Sequence, residues 1–123
     1  MRKVILISPD ETVVHLLKSN SLFLNIEPEV INYSGDILNQ IKLRSPDLVI
    51  IDFILNDDNG GSLCHQVKLD PKLHDLPVVL LSQYTSLHPI AAKFGCSTVI
   101  TKPVNLHELQ ETINNLLQPE AIH

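Results

Sequence analysis

The sequence predicts one α/β domain, five parallel strands with helices on both faces, and three observations carry that reading. Short apolar runs of strand length alternate with stretches whose apolar residues recur every three or four positions. The run at 48–51 is apolar throughout, as expected of a strand covered on both faces. Polar or charged residues stand at the ends of these runs, Asp52 foremost. Alternating strands and helices are joined by right-handed crossovers, so all strand C-termini share one edge of a parallel sheet.

The elements follow in order. Residues 4–7 form the first strand, and Ser8-Pro9-Asp10-Glu11 leads into a helix marked by Val13, Val14, Leu16 and Leu17. Asp10 and Glu11 fall in its first turn, where acids suit the helix dipole, so capping is the plain alternative to any chemical role for them. Phe23, Leu24 and Ile26 carry the chain onward, and Pro28 opens a weaker strand at 29–32. Ser34-Gly35-Asp36 reads as a turn and cap before a short helix with Ile37, Leu38 and Ile41 on one stripe. Ser45-Pro46 ends it and starts the central strand, which closes on Asp52. Asn56 to Gly61 is dense in turn residues, and Leu63, Cys64 and Val67 mark a third helix ended by Asp70-Pro71. Pro77 opens a fourth strand at 78–81, ending on Ser82. Ile90 to Phe94, closed by Gly95, reads as a short fourth helix beginning near Pro89. Val99 and Ile100 make a fifth strand, followed by Thr101-Lys102-Pro103. Asn105 and Glu108 imitate a capping box before the clearest amphipathic helix, with Leu106, Leu109, Ile113, Leu116 and Leu117 on its apolar face.

Bulk properties narrow the function classes. Residues 1–123 are expected to be a single domain with a tail at 118–123, long enough for a core without staples. With 44% apolar and 19% charged residues the chain reads as globular. A net charge of −5 disfavours a phosphate-backbone binder, so no nucleic-acid partner is expected. Apolar runs of four to six residues are too short to span a membrane, and the run after Arg2 and Lys3 is too short for a signal peptide; a cytoplasmic location is the expectation. Cys64 and Cys96 show no CxxC spacing and read as free thiols. The six histidines lack paired ligand spacing, and no zinc site is expected.

Asp10, Asp52, Ser82 and Lys102 each follow a predicted strand directly or within a few residues, and a parallel sheet gathers them at one crevice. Two carboxylates brought together repel unless a cation sits between them. A hard divalent ion such as Mg2+ meets that need with oxygen ligands and keeps room for phosphate oxygens. Lys102 adds a mobile charge for an anion, and Ser82 a hydroxyl donor. These are the parts that phosphoryl transfer to a carboxylate requires. For Asp52 alone, the plain alternative is a residue that merely ends the strand.

In the segment from Pro46 to Asp52, in Gly60, in Ser82 and in the triplet Thr101-Lys102-Pro103, the sequence resembles response-regulator receiver domains of two-component signalling, over essentially its whole length. The resemblance implies a flavodoxin-like, doubly wound five-stranded parallel sheet with five helices. It implies Asp52 as phosphoacceptor, with Asp10, Asp52 and the backbone carbonyl of Ile54 holding Mg2+, and Glu11 as a further candidate ligand. Ser82 and Lys102 would bind the phosphoryl group, and the Lys102-Pro103 peptide would be cis. A histidine kinase or phosphotransfer protein would donate the phosphoryl group. Output would run to a downstream protein through the fourth helix, fifth strand and fifth helix, with a homodimer as one form it could take. Such a domain would be no enzyme beyond its own phosphoryl transfer and dephosphorylation.

The sequence also departs from that family. Pro9 stands where the first of two adjacent acids is usual, leaving Asp10 and then Glu11. Gln83 replaces a small residue after the strand-four hydroxyl, and Val99 replaces a common aromatic. The span between Ser82 and Lys102 is about two residues short, in keeping with an abbreviated fourth helix. These changes favour a second expectation, a degenerate receiver that binds partners without phosphorylation. Against a cofactor binder or an aspartate-based phosphatase stand the lack of a glycine-rich loop after strand one and Ile54 two residues beyond Asp52. No output module follows Leu117, which suggests a stand-alone receiver or a part of something larger.

Overall fold

The computed structural model describes residues 1–55, 59–84 and 91–117. Its elements run β1 (Arg2–Ile7), α1 (Glu11–Ser19), α2 (Ser21–Leu24), β2 (Ile26–Val30), α3 (Ile37–Arg44), β3 (Leu48–Asp52), α4 (Gly60–Leu69), β4 (Val78–Ser82), α5 (Ala91–Phe94), β5 (Thr98–Thr101) and α6 (Leu106–Leu116). The strands form one parallel sheet in the order β2-β1-β3-β4-β5. After β2 the chain crosses back over β1 and builds outward in the other direction. The strand order therefore reverses between β1 and β3, and the crevice at their C-terminal ends is where such sheets bind ligands.

Alternation along the strands divides the core into two layers. Ile5, Ile7, Val49, Ile51, Val78 and Leu80 face one side, packed with residues of α3 and α4 such as Ile37, Ile41, Leu63 and Val67. Val4, Leu6, Leu48, Ile50, Val79 and Leu81 face the other, against Val13 and Leu17 of α1 and Leu109 and Ile113 of α6. Each fully buried side chain of this size contributes about 1.5–3 kcal/mol relative to exposure. All five residues of β3 and all five of β4 are buried. This is why those strands read as unbroken apolar runs.

Side-chain caps fix where the helices start. The Asp10 carboxylate accepts a hydrogen bond from Thr12 N at 3.0 Å, Asn59 from Ser62 N at 2.8 Å and Asn105 from Glu108 N at 3.0 Å. Asp36 flanks α3 differently. Its carboxylate takes the side-chain amides of Asn39 and Gln40 and no backbone cap bond.

The fold agrees with the sequence-based expectation in class, strand number and parallel sense, with two local corrections. The second strand is Ile26–Val30 rather than 29–32, with Pro28 inside it and opposite Val4. Proline is tolerated because β2 is an edge strand, paired with β1 alone, so a missing N–H on its outer side breaks no ladder bond. A one-turn helix, α2, also follows α1 and ends on Asn25 in the left-handed conformation. The helix expected near Pro89 is seen as α5, four residues long and closed by Gly95 at φ 83°. The turn residues Asn56, Asp57 and Asp58, the start expected at Pro89, and the tail at 118–123 lie outside the described residues.

Candidate functional site

Register assembles the site. Ile7 pairs with Ile51, so the next residues, Ser8 just after β1 and Asp52 at the end of β3, become neighbours across the switch point. Asp52 pairs with Leu81 and Ser82 with Thr101, which brings Lys102 to the same edge. The Lys102-Pro103 peptide is cis. A pocket of 260 Å³ opens there, lined by Pro9, Asp10, Asp52, Ile54, Ser82, Gln83 and Lys102.

Asp52 is only 2% exposed. An ionised carboxylate at that depth needs paired charge and hydrogen bonds to offset several kcal/mol of desolvation, as a rough scale. It has both. Its Oδ2 accepts from Lys102 Nζ at 2.6 Å and from Ser8 Oγ at 2.7 Å, and its Oδ1 from Ile54 N at 3.3 Å. Lys102 Nζ also reaches Asp10 Oδ2 at 2.8 Å, so one ammonium bridges an acid in the loop after β1 and one at the end of β3. The hydrogen bond from Lys102 holds the Asp10 carboxyl below the ordinary aspartate value, against a smaller opposing effect of burial. Burial pulls the Lys102 ammonium downward, but its bonds to Asp10 and Asp52 outweigh that, and the net direction is up.

The backbone around Asp52 is tightly held. Phe53 N donates to Leu81 O at 2.8 Å and Gly60 N to Phe53 O at 2.7 Å. A Cβ at Gly60 would overlap the Asp52 carbonyl and crowd Leu80. Only glycine permits α4 to start this close to the strand.

Of the predicted site residues, Asp10, Asp52 and Lys102 meet in direct contact. Asp10 does so while also capping α1, so the capping alternative and the site placement hold together, one carboxylate oxygen for each. Ser82 is buried and lines the same pocket, but its hydroxyl is engaged by the backbone of the next loop, accepting from Tyr84 N at 2.8 Å. Glu11 is exposed on the first turn of α1 and does not line the pocket.

Ser8 is the residue that sequence reasoning missed. It is 8% exposed, donates to Asp52 and accepts from Asp10 N at 3.0 Å, tying the loop after β1 to the end of β3. Its only sequence signal is its position directly after an apolar run. Its importance depends on the β1–β3 register, which composition does not reveal.

Magnesium can be weighed against these donors. Among the described residues no group of three or more His, Cys, Asp or Glu side chains is gathered to hold a metal. Mg2+ needs few, since it keeps several waters and is held by one or two carboxylates plus phosphate oxygens. Asp10 and Asp52 fit that donor set, and the cation now shared between them is the Lys102 ammonium.

Comparison with known proteins agrees with this geometry. The family model for the response regulator receiver domain matches residues 5–114. The chain belongs to that family, which operates in two-component signalling. The regulatory protein LuxO of Vibrio vulnificus is 27% identical over 109 residues, covering 87% of this chain but 24% of LuxO. The chain thus spans about a quarter of that relative. The chemotaxis response regulator CheY4 of Vibrio cholerae superimposes with a TM-score of 0.83 at 19% identity, covering 95% of this chain and 99% of CheY4. The receiver domain of a Pseudomonas aeruginosa sensor histidine kinase, whose structure has magnesium coordinated in the active-site cleft, gives a TM-score of 0.80 at 13% identity over 94% of this chain and 96% of that one. At these identities the structural likeness speaks for the fold.

Proposed function

We propose that the domain accepts a phosphoryl group on Asp52 from a phosphohistidine of a histidine kinase or phosphotransfer protein and signals by protein contact. The observation that carries this reading is the buried Asp52 carboxylate, bridged to Asp10 by Lys102 at the switch-point edge. A carboxylate oxygen of Asp52 attacks phosphorus, the O–P bond forms as the N–P bond breaks, and the imidazole leaves with the electron pair. Lys102 then follows the negative charge from the carboxylates to a phosphoryl oxygen. Ser82 turns its hydroxyl from Tyr84 to another. Mg2+ held by Asp10, Asp52 and the carbonyl of Ile54 would neutralise phosphoryl oxygens.

An apolar groove of 520 Å³ runs from the site between α1 and the loop after β5, bordered by Val13, Leu16, Pro103 and Val104, and suits docking of the donor's helix. The new charge would bias the face of α5, β5 and α6 between two arrangements, through differential contacts in the two states. That face would meet the downstream protein or a second copy. On this reading the domain turns over no external substrate. Among the described residues no helix is long and apolar enough to cross a membrane, which is compatible with action in the cytoplasm.

A second reading, a receiver that binds partners without phosphorylation, is favoured by two contacts on one oxygen. Ser8 and Lys102 both occupy Asp52 Oδ2, which reduces its freedom to act as a nucleophile. Incubation with Mg2+ and acetyl phosphate, followed by intact mass, separates the two. One phosphoryl adduct that disappears in Asp52→Asn supports phosphoacceptance. No adduct with any donor, and no Mg2+ binding, supports the second reading.

A further inference from the structure

We propose that Cys64 and Cys96 form a peroxide-oxidisable dithiol whose disulfide ties α4 to the turn before β5. This site lies in the layer formed by α3 and α4, apart from the acid-bearing crevice.

The two Sγ atoms are 3.1 Å apart although the residues are 32 positions apart in sequence. Forming a bond of about 2.05 Å requires the sulfurs to approach by roughly 1 Å, a side-chain adjustment rather than a rearrangement of the fold. Cys64 lies in a helix, and Cys96 in the short turn between α5 and β5. Cys64 is fully buried in α4 and belongs to the core layer facing Ile5 and Ile51. Cys96 is flanked by Gly95, at φ 83° against the Lys68 side chain, and by Ser97. Ser97 N donates to Val78 O at 2.8 Å and Ser97 Oγ accepts from Val78 N at 3.1 Å. The thiols are therefore presented to each other by structure on both sides.

Their surroundings also divide the work. Cys96 is partly exposed, and its thiol is drawn below the ordinary cysteine value by the hydrogen bond with Cys64 and by the Lys68 ammonium, burial opposing. Lys68 stands one turn after Cys64 on α4, its ammonium anchored on Leu76 O at 2.5 Å. Cys64 is pushed strongly upward by its hydrogen bond with Cys96, then by burial and by the negative charge a Cys96 thiolate would place beside it. A partly exposed thiolate beside a cation is the reactive kind, and a buried neutral thiol suits the resolving role.

The chemistry balances with a hydroperoxide as oxidant. The Cys96 thiolate attacks the hydroxyl oxygen of the peroxide, the O–O bond breaks, and hydroxide or alkoxide departs and takes up the proton that the Cys96 thiol released, leaving a sulfenic acid on Cys96. Cys64 gives up its proton as its sulfur attacks that of Cys96. The S–S bond forms, the S–O bond breaks, and hydroxide leaves with the proton as water. The dithiol loses two electrons and two protons, and the peroxide is reduced.

The test treats the reduced chain with hydrogen peroxide, alkylates the remaining thiols in denaturant and measures intact mass. The expected product is a monomer lighter by two hydrogens, carrying no alkyl group and restored by dithiothreitol. Cys64→Ser should instead accumulate a sulfenic acid on Cys96 that dimedone traps. Cys96→Ser should leave Cys64 reacting about tenfold more slowly or less. Two alkylatable thiols after treatment, an intermolecular disulfide dimer, or first oxidation at Cys64 would overturn the proposal. The wild-type measurement decides even where a variant fails to fold.

Discussion

The two edges of the sheet use charge in opposite ways. At the N-terminal edge the charged groups are at the surface and fasten strand ends. Asp47 Oδ2 accepts from Lys3 N at 2.8 Å, and Lys3 Nζ reaches Arg44 O at 2.9 Å. Water shares that work, so each contact adds little. At the C-terminal edge Asp52 is buried and its charge is compensated by one partly buried ammonium and one hydroxyl. A well-packed apolar residue would serve stability there as well or better. The comparison separates charges that hold the fold from charges that the fold holds.

Substitutions can break or sharpen that contrast. Gly60→Ala should be the most damaging, at about 3 kcal/mol by chemical denaturation, because the added methyl meets backbone that cannot retreat. Lys102→Met should cost about 2 kcal/mol, below the range for a fully buried pair because the Lys102 side chain is 20% exposed. Adding Asp52→Asn to it should recover part of that loss, since the unpaired charge is then gone; simple additivity would break the contrast. Ser8→Ala should cost about 1 kcal/mol, as Lys102 still satisfies the same carboxylate oxygen. At the opposite edge Asp47→Ala should change stability by no more than about 0.5 kcal/mol, and a loss as large as that of Lys102→Met would erase the distinction between edges.

The pH dependence follows from the same groups. Asp10 has a lowered folded-state value, so its contribution is present above pH 3.8, the ordinary value, and is lost as pH falls through the lowered one. Lys102 has a raised value, so its contribution is present below pH 10.5 and is lost as pH rises through the raised one. The melting temperature should therefore show no loss from this pair between those limits. In Lys102→Met the alkaline loss should vanish and the acid loss should shrink.

Much of the architecture was legible because of burial. β1, β3 and β4 are covered on both faces and read as apolar runs, whereas β2 is an edge strand whose proline and alternating exposure blurred its start. α2 is one turn long and too short to carry a periodic signal. In the candidate site, the meeting of Asp10, Asp52 and Lys102 followed from strand polarity alone. Ser8 did not, because which hydroxyl reaches Asp52 depends on a register that places Ile7 beside Ile51. Ser82 was located at the crevice, but the hydrogen bond it receives from Tyr84 belongs to loop geometry that strand patterns do not encode.

The most direct test of the account locates the phosphoryl group. After reaction with a phosphorylated histidine kinase or with acetyl phosphate, peptide mass mapping should find a single alkali-labile phosphoryl group on the peptide containing Asp52, and on no other. A stable phosphate on a serine, threonine or histidine, or unmodified Asp52 after a donor has been consumed, would contradict it.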